Sequence, residues 1–259
     1  MLIDSHCHLD HVDFEGEVDA VVERARAAGV RLLLTIGTTI GRFPQVLAVA
    51  ERYPDVWCTV GIHPHDAAAE ADVTVGELVR LSRHPKVVGI GECGLDYYYN
   101  RSPHDVQIAV FRRHVAAARE TGLPLIVHTR DADAETAAIL VEEQRAGAFT
   151  GVLHCFSSGA ALAETAVGLG FRISFSGILT FRKSEELRRI ARGLPVECLL
   201  VETDAPYLAP VPMRGRRNEP GFVGHTLRAL AGCRGENAEA LAAATGENFL
   251  RLFAKAAVQ

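Results

Sequence analysis

Histidines and carboxylates recur in this chain at the ends of short apolar runs. His6 and His8 follow "MLID" within the stretch "DSHCHLD", and His63 follows "VWCTVGI". Glu92 ends "VVGIGE", His128 ends "PLIVH", His154 lies in "GVLHC" and Asp204 ends "CLLVETD". Residues i and i+2 of an extended segment share a face, so the rings of His6 and His8 can point at one spot. Alone, such a pair is more often a polar surface feature, but a scattered surface set has no reason to share a register with five other residues. His6, His8, Glu92, His128, His154 and Asp204 form a ligand set for divalent cations. Six groups exceed what one tetrahedral ion with an open position needs, and they suit two ions sharing a bridging carboxylate. Glu92 is the expected bridge, and the expected cofactors are two divalent ions, Zn²⁺, Mn²⁺ or Mg²⁺. Two dications against two carboxylates leave a net positive field for hydroxide and an anionic substrate.

Positioning these groups requires a repeated element. Eight β-branched-rich runs occur, at residues 1–4, 31–37, 56–62, 87–92, 124–128, 151–155, 171–177 and 198–204. Helical spacing fills gaps between them, as at 18–29, where Val18, Val21, Val22 and Ala25 make one stripe, and at 106–122, with Gly122 as C-cap. Continuous apolar strands alternating with helices predict a parallel sheet. Eight repeats in 259 residues predict an α/β fold of the (β/α)₈ TIM-barrel type, one domain spanning 1–259. A doubly wound open sheet would carry a Gly-rich phosphate turn after its first strand, where this chain has His6 and His8. Every candidate residue then falls at the C-terminal end of a strand, the face on which barrel enzymes build their sites.

Composition narrows the partners. Net charge is −5, from 27 basic and 32 acidic residues, so no basic sheath for gripping nucleic acid exists and an anionic substrate needs a local positive field. Neither a secretion signal nor a membrane-length apolar run is evident, and six scattered cysteines without a C-x-x-C pair read as reduced thiols; a cytoplasmic location is expected. Cys7, Cys93 and Cys155 each flank a proposed ligand, so strand alternation points them away from the metals. His84, His104, His114 and His225 lie in helical or loop segments and are expected to be solvated; His11 is undecided, and His65 is a candidate for the rim.

The segment after the eighth run, "APYLAPVPMRGRRNEP" (205–220), is long for a turn. Arg214, Arg216 and Arg217 are candidates for phosphate contacts, with Asn218 supplying an amide; the alternative is a solvated basic loop. Tyr97, Tyr98 and Tyr99 follow Glu92 in "GLDYYYN" and either stack on bases or seal the rim.

The stretches "DSHCHLD", "GIHPHD", "GECGLDYYY", "PLIVHTRDA", "HCFSSG", "ISFSGILTF", "ETDAPYLAPVPMRGRRNEP" and "TGENFLRLF" together resemble the TatD-type metal-dependent deoxyribonucleases of the amidohydrolase-like barrels. They span Asp4 to Phe253. The resemblance implies metal binding by His6, His8, Glu92, His128, His154 and Asp204, and contact of His63 with the scissile phosphate. Two departures, Ser158 where a glycine is common and "GFVGHT" after "NEP", bear on substrate preference and touch no proposed ligand. Related barrels bridge their metals with a carbamylated lysine; here the fourth-strand position is Glu92, and Lys86 lies at the strand's beginning.

The leading expectation is a phosphodiester hydrolase acting on DNA, a 3′–5′ exonuclease on single-stranded ends. Water is activated between the metals and Asp204 accepts its proton, with Glu92 and His63 completing the catalytic set. The alternatives are an ester or amide hydrolase on the same barrel, such as one acting on an aminoacyl-tRNA ester, and a non-catalytic metal-binding protein. Fold does not separate these substrates. No obligate protein partner and no membrane association are expected.

Overall fold

Each apolar run becomes a strand because both of its faces are covered, one by helices and one by the barrel interior. The strands are β1 (Leu2–Cys7), β2 (Val30–Thr35), β3 (Val56–Val60), β4 (Val87–Asp96), β5 (Leu125–Arg130), β6 (Gly151–Leu153), β7 (Arg172–Phe175) and β8 (Leu199–Val201). Between and after them lie α1 (Val18–Ala27), α2 (Phe43–Arg52), α3 (Val75–Ser82), α4 (His104–Thr121), α5 (Asp133–Ala146), α6 (Ala160–Gly168), α7 (Glu185–Gly193), α8 (Val223–Arg234) and α9 (Ala238–Leu252). This computed structural model describes residues 1–257; Val258 and Gln259, the end of the expected domain, lie outside the described residues.

The sheet runs β1 to β8 in chain order, every neighbouring pair parallel, as the TIM-barrel expectation requires. The seam between β8 and β1 is closed just beyond β8. Asp204 N–H donates to His6 O at 2.9 Å and His8 N–H to Ala205 O at 2.8 Å. Buried Asp4 accepts Thr203 N–H at 2.8 Å and the Thr203 hydroxyl at 2.5 Å.

Inside the barrel the layers change character along the axis. Ile3, Val88 and Ile126, near the strand beginnings, pack together with Leu34, Val152, Leu200 and with Phe249 and Phe253 from the C-terminal segment. Asn248 on α9 holds that segment in place by donating to Val196 O at 2.7 Å and Leu199 O at 3.0 Å. An apolar floor therefore carries the polar chemistry above it, starting with the Ser5–Ser174 hydroxyl pair at 3.0 Å.

The expected helix over 106–122 is α4, which starts two residues earlier and ends on Gly122 in the left-handed conformation (φ 71°). Strand ends differ from expectation. Glu92 does not end the fourth strand, because β4 continues to Asp96, while His63, His154 and Asp204 lie beyond the ends of β3, β6 and β8. Register also slips between Asp4 and Cys7 in β1 and between Ile90 and Cys93 in β4, the intervals holding His6 and Glu92. Each slip adds one residue to one strand of the pair, which re-aims the following side chains. At the second slip Gly91 has φ 132°, and a Cβ there would stand 2.6 Å from Ile126 O, so only glycine fits.

Candidate active site

The structure brings His6, His8, His63, Glu92, His128, His154 and Asp204 together at the C-terminal mouth of the barrel, where nearly all of them line a cavity of about 720 Å³. Buried Glu92 stands at the centre with its two oxygens facing different groups. Oε2 lies 3.3 Å from His6 Nε2, and His6 Nε2 in turn lies 3.6 Å from Asp204 Oδ1. His8 Nε2 reaches the same Asp204 oxygen at 3.3 Å. Oε1 lies 2.7 Å from His154 Nε2, 3.1 Å from His128 Nδ1 and 3.4 Å from His63 Nε2.

Three carboxylates outside the sequence-derived set fix the site. Asp96, fully buried at the end of β4, receives His128 Nε2 at 3.1 Å and His65 Nε2 at 2.9 Å. A proton on His128 Nε2 leaves the Nδ1 lone pair facing Glu92. Glu202, also fully buried, lies 3.3 Å from His154 Nδ1 and accepts Cys155 N–H at 2.8 Å, which leaves His154 Nε2 as the lone pair. Asp4 is the third, acting on the backbone around Thr203. The only sequence signal for the first two was their proximity to ligands, as in "GECGLD" and "VETD".

His63 is a different case. Its Nδ1 accepts His65 N–H at 3.1 Å, so the neutral ring carries its proton on Nε2. That makes it a donor aimed into the cavity and not a lone pair for a cation, although it sits near Glu92 and His128. Burial, with the neighbouring rings of His128 and His65, pushes its pKa down to about 4 against the pull of Glu92.

The donor chemistry fits divalent cations. His6 is fully buried, yet neither of its ring nitrogens makes a hydrogen bond among the described residues. The lone pairs of His128 Nδ1 and His154 Nε2 converge on a carboxylate oxygen, an arrangement that a positive charge must hold together. Burial acts to raise the Glu92 carboxyl, but the pull of His154, then of His63 and His6, outweighs it and holds it well below the ordinary value. For Asp96, burial is likewise outweighed by the bonds from His128 and His65.

Other expectations are placed differently. Asn218 is buried beneath the loop, its amide donating to Thr203 O at 2.8 Å and Tyr207 O at 2.5 Å, so it braces the loop and does not face the substrate. Arg217 is paired with Glu17 at 2.7 Å and lies over Phe14. Arg214 covers Phe181 at 4.0 Å, Arg216 is exposed, and none of the three lines the cavity. The arginines that do line it are Arg42, Arg101 and Arg130.

Cys7 and Cys93 are buried between strands and helices, as alternation required, but Cys155 lines the cavity, because its φ of 43° turns the chain just past β6. Tyr97 stacks on His104 at 3.6 Å and bonds Glu135, away from the cavity; Tyr98 and Tyr99 are exposed at its rim. His11 and His65 both line the cavity, His11 pairing with the Tyr207 hydroxyl at 2.9 Å. His114 is not solvated. It is fully buried in α4, donates from Nδ1 to Val110 O at 2.8 Å and accepts Ile62 N–H at 3.0 Å.

A parallel barrel with imidazoles and carboxylates gathered at its C-terminal mouth defines a metal-dependent hydrolase. Residues 3–254 match the family described as TatD related DNase, and the chain belongs to that family. It is 44% identical over 255 residues to the metal-dependent hydrolase YcfH of Escherichia coli (strain K12), covering 97% of this chain and 95% of that one. It is 38% identical over 259 residues to the 3′-5′ ssDNA/RNA exonuclease TatD of Klebsiella pneumoniae (strain 342), covering 97% of each. The crystal structure of YjjV, a TatD homologue from Escherichia coli K12, superposes with a TM-score of 0.90 at 32% identity over 98% of both chains.

Proposed function

We propose that this hydrolase cleaves phosphodiester bonds at the 3′ ends of single-stranded DNA, with two divalent cations that His6, His8, Glu92, His128, His154 and Asp204 would hold. The observation that carries the two-cation reading is the division of Glu92. Oε2 serves the group of His6, His8 and Asp204, while Oε1 serves His128 and His154. When bound, the cations supply Lewis-acid stabilisation of phosphoryl charge and make water acidic enough to attack near neutral pH.

The chain's own residues do the rest. Asp204 takes up the proton of the attacking water at Oδ2, since Oδ1 is turned to His6 and His8. His63 donates from Nε2 to a phosphoryl oxygen, which its bond from His65 N–H prepares it to do. Glu202 and Asp96 hold the rings of His154 and His128 in their working tautomers.

Single-stranded nucleic acid as substrate is supported by the printed name of the Klebsiella relative and by the exposed rings of Tyr98 and Tyr99 at the rim. The same machinery would be carried by one domain. Six unpaired thiols support a cytoplasmic location, and among the described residues no helix is long and apolar enough to cross a membrane.

Time courses on 5′-labelled single- and double-stranded oligonucleotides with Mn²⁺, Mg²⁺ or Zn²⁺, beside a carboxyl ester, test the reading. A ladder shortening from the 3′ end of the single strand is expected. Preferential hydrolysis of the carboxyl ester would overturn it.

A further inference from the structure

Charge at the mouth differs from what the ligand set alone suggests. Asp96 and Glu202 join Glu92 and Asp204, so four carboxylates stand against two dications and the expected positive surplus vanishes. Asp10 and Asp66 add further negative charge to the cavity wall. A polyanionic strand therefore needs cationic side chains of its own. Of the three arginines in the wall, Arg42 is committed to Asp10, bonding its carboxylate at 3.0 Å and its carbonyl at 2.9 Å. Arg130 has no ion pair or side-chain hydrogen bond among the described residues. Its guanidinium lies instead 4.0 Å from the Tyr98 ring centre and 4.8 Å from that of Tyr99; Arg101, likewise without an ion pair or side-chain hydrogen bond among the described residues, lies farther out, 5.6 Å from the Tyr99 ring.

We propose that Arg130, held on Tyr98 and Tyr99, binds the phosphate next to the scissile one in a single-stranded nucleic acid, and that the cavity beyond it receives the adjoining sugar and base. This rests on the nucleic-acid reading of the metal centre. Arg130 leaves β5 two residues beyond His128, roughly 6.6 Å along the strand, a displacement comparable to one nucleotide step of an extended chain. Arg130 and Ser157 line both the central cavity and a neighbouring one of about 420 Å³ formed with Asp131, Asp133, Ser158 and Gly159, so the two cavities adjoin at these residues and the strand's proposed path runs past them.

Charge assigns the occupants along that path. Asp131 and Asp133 repel a phosphate from the outer cavity, whereas their oxygens accept hydrogen bonds from base amino groups or sugar hydroxyls. One Asp133 oxygen already accepts Gly159 N–H at 2.9 Å, which fixes the cavity wall. A guanidinium stacked on tyrosine keeps its hydrogen-bonding edge open and is already ordered, so it pairs with phosphate at low entropic cost. The half-exposed rings of Tyr98 and Tyr99 offer faces to a base beside it.

The test compares the Mn²⁺-loaded parent with Arg130→Gln on a 5′-labelled single-stranded 12-mer and on bis(4-nitrophenyl) phosphate, which has no second phosphate. The expected result is that kcat/KM for the 12-mer falls about tenfold or more relative to the small diester. The salt slope of 12-mer binding, read by fluorescence anisotropy, should become shallower by about 0.7. Tyr98→Ala with Tyr99→Ala should lower the same ratio, whereas R214Q with R216Q should keep the parent's ratio. Equal losses on both substrates, or no loss on the 12-mer, would overturn the assignment of Arg130 while leaving the nuclease reading intact. A parent that hydrolyses a carboxyl ester and neither diester would overturn the nuclease reading, and this inference with it. Melting curves of each variant distinguish a lost contact from a lost fold.

Discussion

One carboxylate, Asp96, decides which nitrogen of His128 faces Glu92. By accepting from Nε2 it directs the lone pair of Nδ1 inward, and by accepting from His65 it ties the rim to the metal centre. Asp96→Ala is expected to weaken cation binding by about 10- to 100-fold. Titration with Mn²⁺ followed by electron paramagnetic resonance measures this directly, and an unchanged affinity would reduce Asp96 to a fold residue. Asp204→Asn tests a different role. The amide keeps one ligating oxygen but cannot take a proton, so turnover should fall about a hundredfold or more with at least one cation retained. Near-normal turnover, with metal content checked by mass spectrometry, would remove Asp204 from the proton transfer.

Elements carry these residues, and one helix is locked to the site by an imidazole. His114 joins α4 to the chain between β3 and His63 through Ile62 N–H, and the bond works only while Nε2 is unprotonated. Burial pushes the His114 pKa from 6.5 down to about 4. In the range between those values the unfolded chain binds the proton that the folded one refuses. Stability from this group is therefore complete above pH 6.5 and is lost as pH falls toward 4, by about 3 kcal/mol in all. His114→Asn removes this group's share of the slope. Urea midpoints of parent and variant should converge between pH 7 and pH 4; parallel curves would show that His114 does not titrate as argued. At the other end of the barrel α9 and the residue that follows it supply the floor, where Phe249 and Phe253 meet the first apolar layer of the strands.

For the whole molecule, the apolar floor and the helical shell lie apart from the proposed metal ligands, so folding is expected not to depend on the cations. Chelation is expected to abolish hydrolysis while leaving the far-UV circular dichroism essentially unchanged, and collapse of that spectrum would mark the centre as structural. With a net charge of −5, binding of the proposed single-stranded substrate would depend on a few local cations, and its salt dependence should be shallow.

The eight runs, their order and the gathering of histidines and carboxylates at one face were legible in the sequence, because buried parallel strands leave continuous apolar runs and their C-terminal ends meet at one mouth. Three things depended on tertiary structure. Register slips set the direction of His6 and Glu92, and a slip exists only between two paired strands. The tautomers of His63, His128 and His154 depend on partners as remote as Glu202, 48 residues from His154. The fate of each arginine depends on which neighbour it meets. Arg217 meets Glu17 across the surface and Arg214 meets Phe181, while Arg130, which no spacing singled out, meets two tyrosines at the open mouth. Local pattern sets which face a strand buries; the reach of a long side chain is decided by the surfaces that folding brings beside it.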